Sequence, residues 1–303
     1  MKNKAYGKYS FEISNTDKVF FPESKYTKGD LIEYYEKISE TMLPYLKDRM
    51  VTMVRFPNGI QGVKFYQKET PEYFPKWIDK KLIQNREEGT TNYVICNKKA
   101  TLVYLANQAC ITPHIWLSRK DKPEKPDKLI IDLDPEVDDF SKVKTIALKT
   151  RNLFEKTLEL PTYVMTSGSR GLHVVVPLKR TRDFDKVREF AQLVANHLEK
   201  ENPELVTTAA RKNKREGKIY LDVGRNAFGQ TAVAPYAVRP IEGAPVATPL
   251  EWDELNESSL NSQSWNIKTI FNRLKKNGDP WEEMQKKAVV LTSAEKIMYR
   301  LIN

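Results

Sequence analysis

Leu129-Ile130-Ile131-Asp132-Leu133-Asp134-Pro135 is the stretch from which the fold is read. The aliphatic run reads as a strand, and the carboxylates at i and i+2 then share one face of the pleat, about 6.6 Å apart. At an effective dielectric of about 20, unit charges ~6 Å apart repel by roughly 3 kcal/mol. Protonation, an arginine or a divalent cation relieves that cost, and carboxylate oxygens suit Mg²⁺ and Mn²⁺. The stretch alone also allows a solvated Asp132 followed by an Asp134-Pro135 turn.

Downstream, the order of elements narrows the choice. Strand 129–133 leads to a helix capped by Ser141, with Val143, Ala147, Phe154 and Leu158 inward, and then to strand 162–166. The turn 167–171 returns into strand 172–178. A helix capped by Asp183 follows, with Val187, Phe190, Ala191, Val194 and Leu198 on one side, then a basic run 211–218 and strand 219–223. Strand, helix, strand, strand, helix, strand is the ferredoxin-like split βαβ order, in which the fourth and third strands flank the first. Asp222 then lies about one strand spacing (~4.8 Å) from the Asp132/Asp134 strand, with His173 on its other side. Three converging carboxylates form a two-metal site able to activate a hydroxyl and neutralise a leaving phosphate.

Ser167-Gly168-Ser169-Arg170-Gly171-Leu172-His173 adds hydroxyls, glycines, a fixed cation and an imidazole. Glycines admit an anion to the backbone, and the hydroxyls and Arg170 donate to phosphate oxygens. Hairpins use such residues in any case, and no G-K-[ST] opens a helix here.

Upstream, Thr27 caps a helix with Leu31, Tyr35, Ile38 and Met42 inward, stopping near Pro44. Segments 51–56, 63–67, 93–96 and 101–106 read as strands, 79–92 as a mobile polar loop, and 118–128 as a polar bridge and the best internal boundary. The chain is then a single domain of residues 1–303, with an N-terminal region (1–118), a bridge (119–128), a catalytic core (129–240) and a C-terminal region (241–303). That last region carries two short helices, one with Ile267, Ile270, Phe271 and Leu274 on a face and one from Ser293. His114, beside Trp116, reads as a structural residue and His197 as a surface one. Lys64-Phe65-Tyr66-Gln67-Lys68 suits stacking on exposed bases, although alternation gives a core Phe65 equally well. The cations Arg211 to Arg215 suit a primer strand or a solvated loop.

The 303 residues carry 50 Lys+Arg against 40 Asp+Glu, a net charge of +10, which favours a polyanionic partner, nucleic acid or an acidic surface. Cys96 and Cys110 are the only cysteines and join no Cys/His cluster, which argues against structural zinc and for a reducing compartment. The N-terminus lacks the apolar core of a signal peptide, and no stretch approaches the ~18 apolar residues of a membrane span. A soluble intracellular protein is expected.

These residues together resemble the archaeo-eukaryotic primase superfamily, and within it the polymerase domain of bacterial ligase D and of stand-alone prokaryotic end-joining polymerases. The resemblance runs from Thr16-Asp17-Lys18-Val19-Phe20-Phe21-Pro22 through Arg55-Phe56-Pro57-Asn58-Gly59, the Asp132–Pro135 stretch, residues 166–173 and Tyr220-Leu221-Asp222 to residues 231–236. It implies an α+β primase-polymerase fold, its ferredoxin/RRM-like core packed on an N-terminal α/β sheet region. It further implies that Asp132, Asp134 and Asp222 hold two divalent cations (Mn²⁺ or Mg²⁺), and that Ser167, Arg170, Gly171, His173, His114 and Arg239 hold the incoming NTP or dNTP. Asn15, Lys18 and Lys28 resemble a pocket for a downstream DNA 5′-phosphate, Phe65 and Tyr66 a template-stacking pair, and Arg215 and Asn226 groups near the primer terminus. Residues 79–92 correspond to a loop that helps bring two DNA ends together. Tyr66 stands where phenylalanine is common, and Arg170 where lysine is.

The function so implied is a template-directed polymerase that fills short gaps at breaks in non-homologous end joining and prefers ribonucleotides. Its partners would be gapped, overhanging or broken DNA with a 5′-phosphate, Ku and a DNA ligase, and no membrane. It would work in a prokaryotic cytoplasm at the nucleoid, as a monomer or a DNA-bridged dimer, either as a separate polymerase or as a piece of a larger protein. De novo primase synthesis, a non-catalytic DNA-end-binding module and a two-metal nuclease are the alternatives.

Overall fold

Thr27 and Asp30 decide where the first long helix, α1 (Lys28–Leu46), begins. Thr27 Oγ1 accepts from the Asp30 amide at 3.2 Å, and Asp30 Oδ2 accepts from the Thr27 amide at 2.9 Å, satisfying two donors a helix start leaves open. Leu31, Tyr35, Ile38 and Met42 are buried, as their spacing requires. Pro44 does not end the helix. It lies in the last turn, and the chain stays helical for two more residues because Tyr45 and Leu46 are buried.

The computed structural model describes residues 2–137 and 139–302, in two units, each built from separated segments. The first runs to Asp121 and takes in Thr231–Ala247 and Trp265–Gly278. It holds the hairpins β1 (Lys2–Tyr6)/β2 (Tyr9–Ile13) and β3 (Val19–Phe21)/β4 (Tyr26–Thr27), followed by α1. Its main sheet uses β5 (Met50–Arg55), β6 (Phe65–Gln67), β7 (Lys80–Gln84), β8 (Thr90–Ile95), β9 (Cys110–Trp116) and β17 (Thr231–Val233), in the order β17-β9-β5-β8-β7 with β6 also on β5. β10 (Ser118–Arg119), α2 (Lys99–Asn107) and α5 (Ile270–Asn277) complete it.

Two further readings of this unit are corrected. Residues 101–106, expected as a strand, lie in α2: every side chain from Ala100 to Asn107 is buried, and a segment buried all round shows neither period. Residues 79–92, expected as a mobile loop, supply β7 and the start of β8, paired from Lys80↔Val94 to Gln84↔Thr90. Only Ile83 of β7 is buried, so its composition reads as loop while its backbone is a charged edge strand.

The second unit comprises Lys122–Gln230, Thr248–Ser264 and the chain from Asp279 onward. It starts with β11 (Lys122–Pro126), so the expected bridge is partly strand. The core then runs β12 (Lys128–Pro135), α3 (Phe140–Asn152), β13 (Tyr163–Thr166), β14 (Leu172–Pro177), α4 (Phe184–Glu201), β15 (Val206–Thr207) and β16 (Ile219–Asp222), with β18 (Pro249–Leu250) and α6 (Thr292–Ile302) later. The sheet order β15-β16-β12-β14-β13-β18 contains the split βαβ arrangement, β16 and β14 flanking β12. The cap of α3 is Asp139 rather than Ser141. Its Oδ1 accepts from the Ser141 hydroxyl at 2.5 Å and the Lys142 amide at 3.4 Å, so Ser141 falls in the first turn. A π-helical turn (Leu153–Thr157) extends α3 and buries Phe154. Among the described residues no helix is long and apolar enough to cross a membrane.

Candidate functional site

Antiparallel register brings the carboxylates together. Asp132 pairs with Asp222 on one neighbour and His173 on the other, and Asp134 pairs with Tyr220. Alternation turns Leu133, fully buried, away from the face that carries the two aspartates. Three arginines answer their charge. Arg225 places Nε 3.4 Å from Asp132 Oδ2 and Nη2 3.5 Å from Asp222 Oδ2. Arg170 Nη2 lies 3.0 Å from Asp134 Oδ1, and Arg215 Nη1 3.1 Å from Asp134 Oδ2. Arg215 also stacks 4.1 Å above the Tyr220 ring. Burial opposes the Arg225 charge, but Asp132 and Asp222 outweigh it and hold the guanidinium above its ordinary pKa. His173 Nε2 lies 3.5 Å from Asp132 Oδ1.

The chain leaves the ladder directly after Asp222, whose Oδ1 accepts the Gly224 amide at 2.7 Å. Asn226, fully buried, takes over the rung that the turn vacates. Its Oδ1 accepts from the Ile130 amide at 2.9 Å, while Nδ2 donates to the carbonyls of Ile130 (2.7 Å) and Val223 (3.0 Å). Its amide is thus spent on the backbone beside the carboxylates.

The hairpin between β13 and β14 is pressed onto β12. A Cβ on Gly171 would stand 1.8 Å from the Leu133 carbonyl oxygen, so only glycine fits between the two aspartates' strand and the turn. Ser167 Oγ accepts the amides of Ser169 (3.2 Å) and Gly171 (3.1 Å), and Ser262 Oγ donates to the Gly171 carbonyl at 2.9 Å. These two amides therefore point into the hairpin, and Arg170, half-exposed, is its outward cation. The unit gathers Asp132, Asp134, Asp222, Ser167, Arg170, Gly171, His173, Arg215 and Asn226. Arg225 escaped the reading of the sequence; its position three residues after Asp222 was the available signal.

The remaining expected residues belong to the first unit. His114 lies within β9, paired with Thr52 and Val233. Arg239 bonds its amide to the Pro245 carbonyl. Asn15 adopts φ 53°, its carbonyl accepts the Lys18 amide, and Lys18 Nζ donates to Asn58 Oδ1 at 2.6 Å. Lys28, 5 % exposed, donates Nζ to the Ser14 carbonyl at 2.6 Å, and its amide bonds to the Lys18 carbonyl. Burial, and then the Lys18 charge, push Lys28 down to about 8. Phe65 and Tyr66 are both exposed on β6, with Lys64 Nζ 4.9 Å from the Tyr66 ring centre. Tyr73, which the sequence did not single out, is exposed as well and takes a hydrogen bond from Arg55.

Asp132, Asp134 and Asp222 match a hard divalent cation in donor type and in strand register. Among the described residues, however, no three His, Cys, Asp or Glu side chains converge on one ion position. Arg170 and Arg215 hold Asp134, and Arg225 spans the other two, so a cation at these carboxylates would compete with the ion pairs.

A family model described as "LigD, primase-polymerase domain" matches residues 27–281. The bifunctional non-homologous end joining protein LigD of Bacillus subtilis is 34% identical over 272 residues, covering 89% of this chain and 43% of that protein. The multifunctional non-homologous end joining protein LigD of Mycolicibacterium smegmatis is 34% identical over 270 residues, covering 88% and 35%. The chain thus spans less than half the length of these relatives. Among solved structures, the polymerase domain from Mycobacterium tuberculosis ligase D in complex with DNA matches with a TM-score of 0.85 at 30% identity, covering 92% of this chain and 99% of that one.

Proposed function

Because the chain belongs to the family of LigD primase-polymerase domains, and so to the nucleotidyltransferases of the polymerase class, we propose that it fills short template-directed gaps at DNA breaks during end joining, preferring ribonucleotides and reading a downstream 5′-phosphate. The observation that carries this reading is the meeting of Asp132 and Asp222 across adjacent strands, with Asp134 two residues along. Divalent cations bound to these carboxylates would activate the primer 3′-hydroxyl and neutralise the departing pyrophosphate. Asp132 and Asp222 bind and orient from β12 and β16, whose ladder fixes their spacing. Arg170 offers its guanidinium to the triphosphate, and Gly171 lets the hairpin that carries it approach β12.

Lys18 and Lys28 support the 5′-phosphate assignment. Burial first, and the Lys18 charge second, lower the Lys28 pKa, and an anion bound beside these cations would offset both effects. Phe65 and Tyr66 are exposed aromatics beside lysines, suited to stacking on template bases. Broken DNA is the polyanion that the net charge of +10 suits, with Ku and a ligase as co-workers at the nucleoid.

Primer extension across a 5′-phosphorylated gap, comparing NTP with dNTP and Mg²⁺ with Mn²⁺, tests the reading. Incorporation should favour NTP and fall when the 5′-phosphate is replaced by hydroxyl. Asp132→Ala and Asp222→Ala should each abolish extension while the fold is retained by circular dichroism; substantial extension by both variants refutes the assignment.

A further inference from the structure

We propose that Arg225 is a built-in counter-cation of the Asp132–Asp222 pair, which an entering divalent cation has to displace, so that this residue sets the cation affinity of the site. The inference rests on the proposed role of the carboxylates and adds a residue to it. Three carboxylates meet three guanidiniums here: Arg170 and Arg215 on Asp134, and Arg225 on Asp132 and Asp222. A dication added to a charge-balanced cluster gains little unless one guanidinium leaves.

Arg225 is the one built to leave. Its contacts, 3.4 and 3.5 Å, are long beside the about 2.7–2.9 Å of a tight charge-assisted bond. Arg215, in contrast, is held at 3.1 Å, is 8 % exposed and lies over the Tyr220 ring. The Arg225 side chain is 37 % exposed and stands on the short turn Gly224–Asn226. It is also the arginine that spans two strands, holding together the carboxylates that the register brings face to face. The side chain therefore neutralises their mutual repulsion, and its removal leaves that repulsion for a cation to relieve.

The test is Mn²⁺ binding by the full chain, read from the paramagnetic resonance signal of the free aquo ion, with no nucleotide or DNA present. Arg225→Gln should bind Mn²⁺ about tenfold more tightly than the parent chain, the effect of removing one competing unit charge. Arg225→Lys, which keeps a charge but spans less, should fall between them, and it preserves the test if the glutamine variant folds poorly. Melting should separate the states too: Arg225→Gln should melt below the parent in EDTA and recover with Mn²⁺. Equal or weaker Mn²⁺ binding by both variants overturns the role of Arg225 while leaving the carboxylate site intact. If the Asp132→Asn/Asp222→Asn chain binds Mn²⁺ as the parent does, the carboxylate assignment itself fails, and this inference with it.

Discussion

Replacing Gly171 by alanine inserts one carbon where the hairpin 167–171 meets β12. The new Cβ stands 1.8 Å from the Leu133 carbonyl oxygen, 3.0 Å from its carbon and 3.2 Å from Pro135 Cδ. Carbon–oxygen contacts settle at about 3.3–3.6 Å, so the hairpin and β12 have to part by about 1.5 Å. Neither obstacle at Leu133 is the free end of a side chain, and a backbone in mid-sheet yields only by losing bonds. The 3.1 Å bond from the Gly171 amide to Ser167 Oγ and the Leu133↔Leu172 rung are the ones at risk. Overpacking costs about 1–3 kcal/mol and a lost hydrogen bond about 0.5–1.5 kcal/mol, which together give roughly 3 kcal/mol. In a unit of this size that lowers Tm by about 6–12 °C. The strain falls on the residue between Asp132 and Asp134, so primer extension should fall with stability. Urea denaturation of Gly171→Ala and of Gly224→Ala makes the comparison. At Gly224 the Cβ meets only the Asp222 carboxylate, Oδ1 at 2.9 Å and Cγ at 3.9 Å, a side-chain end that can shift by a few tenths of an ångström, and the loss should be below about 1 kcal/mol. A Gly171→Ala protein that unfolds at the parent urea concentration and extends primers at the parent rate would refute the close-approach argument.

In the proposed 5′-phosphate pocket, Lys28 would tie DNA binding to pH: below about 8 it is charged in both folded and unfolded chains, whereas between about 8 and its ordinary 10.5 the folded chain alone has released the proton. Stability from this group therefore rises with pH across that window, while its attraction for an anion is lost. The advantage of 5′-phosphorylated over 5′-hydroxyl gapped DNA, measured by fluorescence anisotropy, should halve near pH 8, and Lys28→Ala should lack that transition. Phe65→Ala and Tyr66→Ala should each weaken single-strand template binding by about 1–3 kcal/mol, with Tyr66→Phe near the parent; an unchanged affinity in both alanine variants would remove the stacking role. Thr27→Ala should cost about 1 kcal/mol in denaturant unfolding through loss of the α1 cap, without altering DNA affinity.

The ferredoxin-like order was legible because α4 and most of α3 show one apolar stripe each, and because the short turn 167–171 between β13 and β14 leaves few topologies. From that order the Asp132–Asp222 meeting follows without side-chain information. Helix α2 was illegible for the opposite reason: a segment buried on every side carries no stripe to reveal its period. The β7/β8 hairpin hid behind surface composition, since β7 buries only Ile83. Asp139 outcompeted Ser141 as the α3 cap by position, both being good capping residues. The arginine partners were the least accessible. The i,i+3 spacing signals the pairing of Arg225 with Asp222, but its reach to Asp132 on the neighbouring strand depends on the exact course of the turn Gly224–Asn226.

Asn226 carries a consequence for how substitution tolerance around the carboxylates is interpreted. A primary amide presents one acceptor and a donor at the spacing of a peptide group, so the side chain acts as a spliced-in piece of main chain against Ile130. Aspartate has the same outline but no donor when ionised, and leucine has neither function. An intolerance of every residue but asparagine at this position would look like a signature of catalysis. Its origin would be masonry: the polypeptide can turn away one residue after Asp222 because a side chain finishes the course that the backbone abandons.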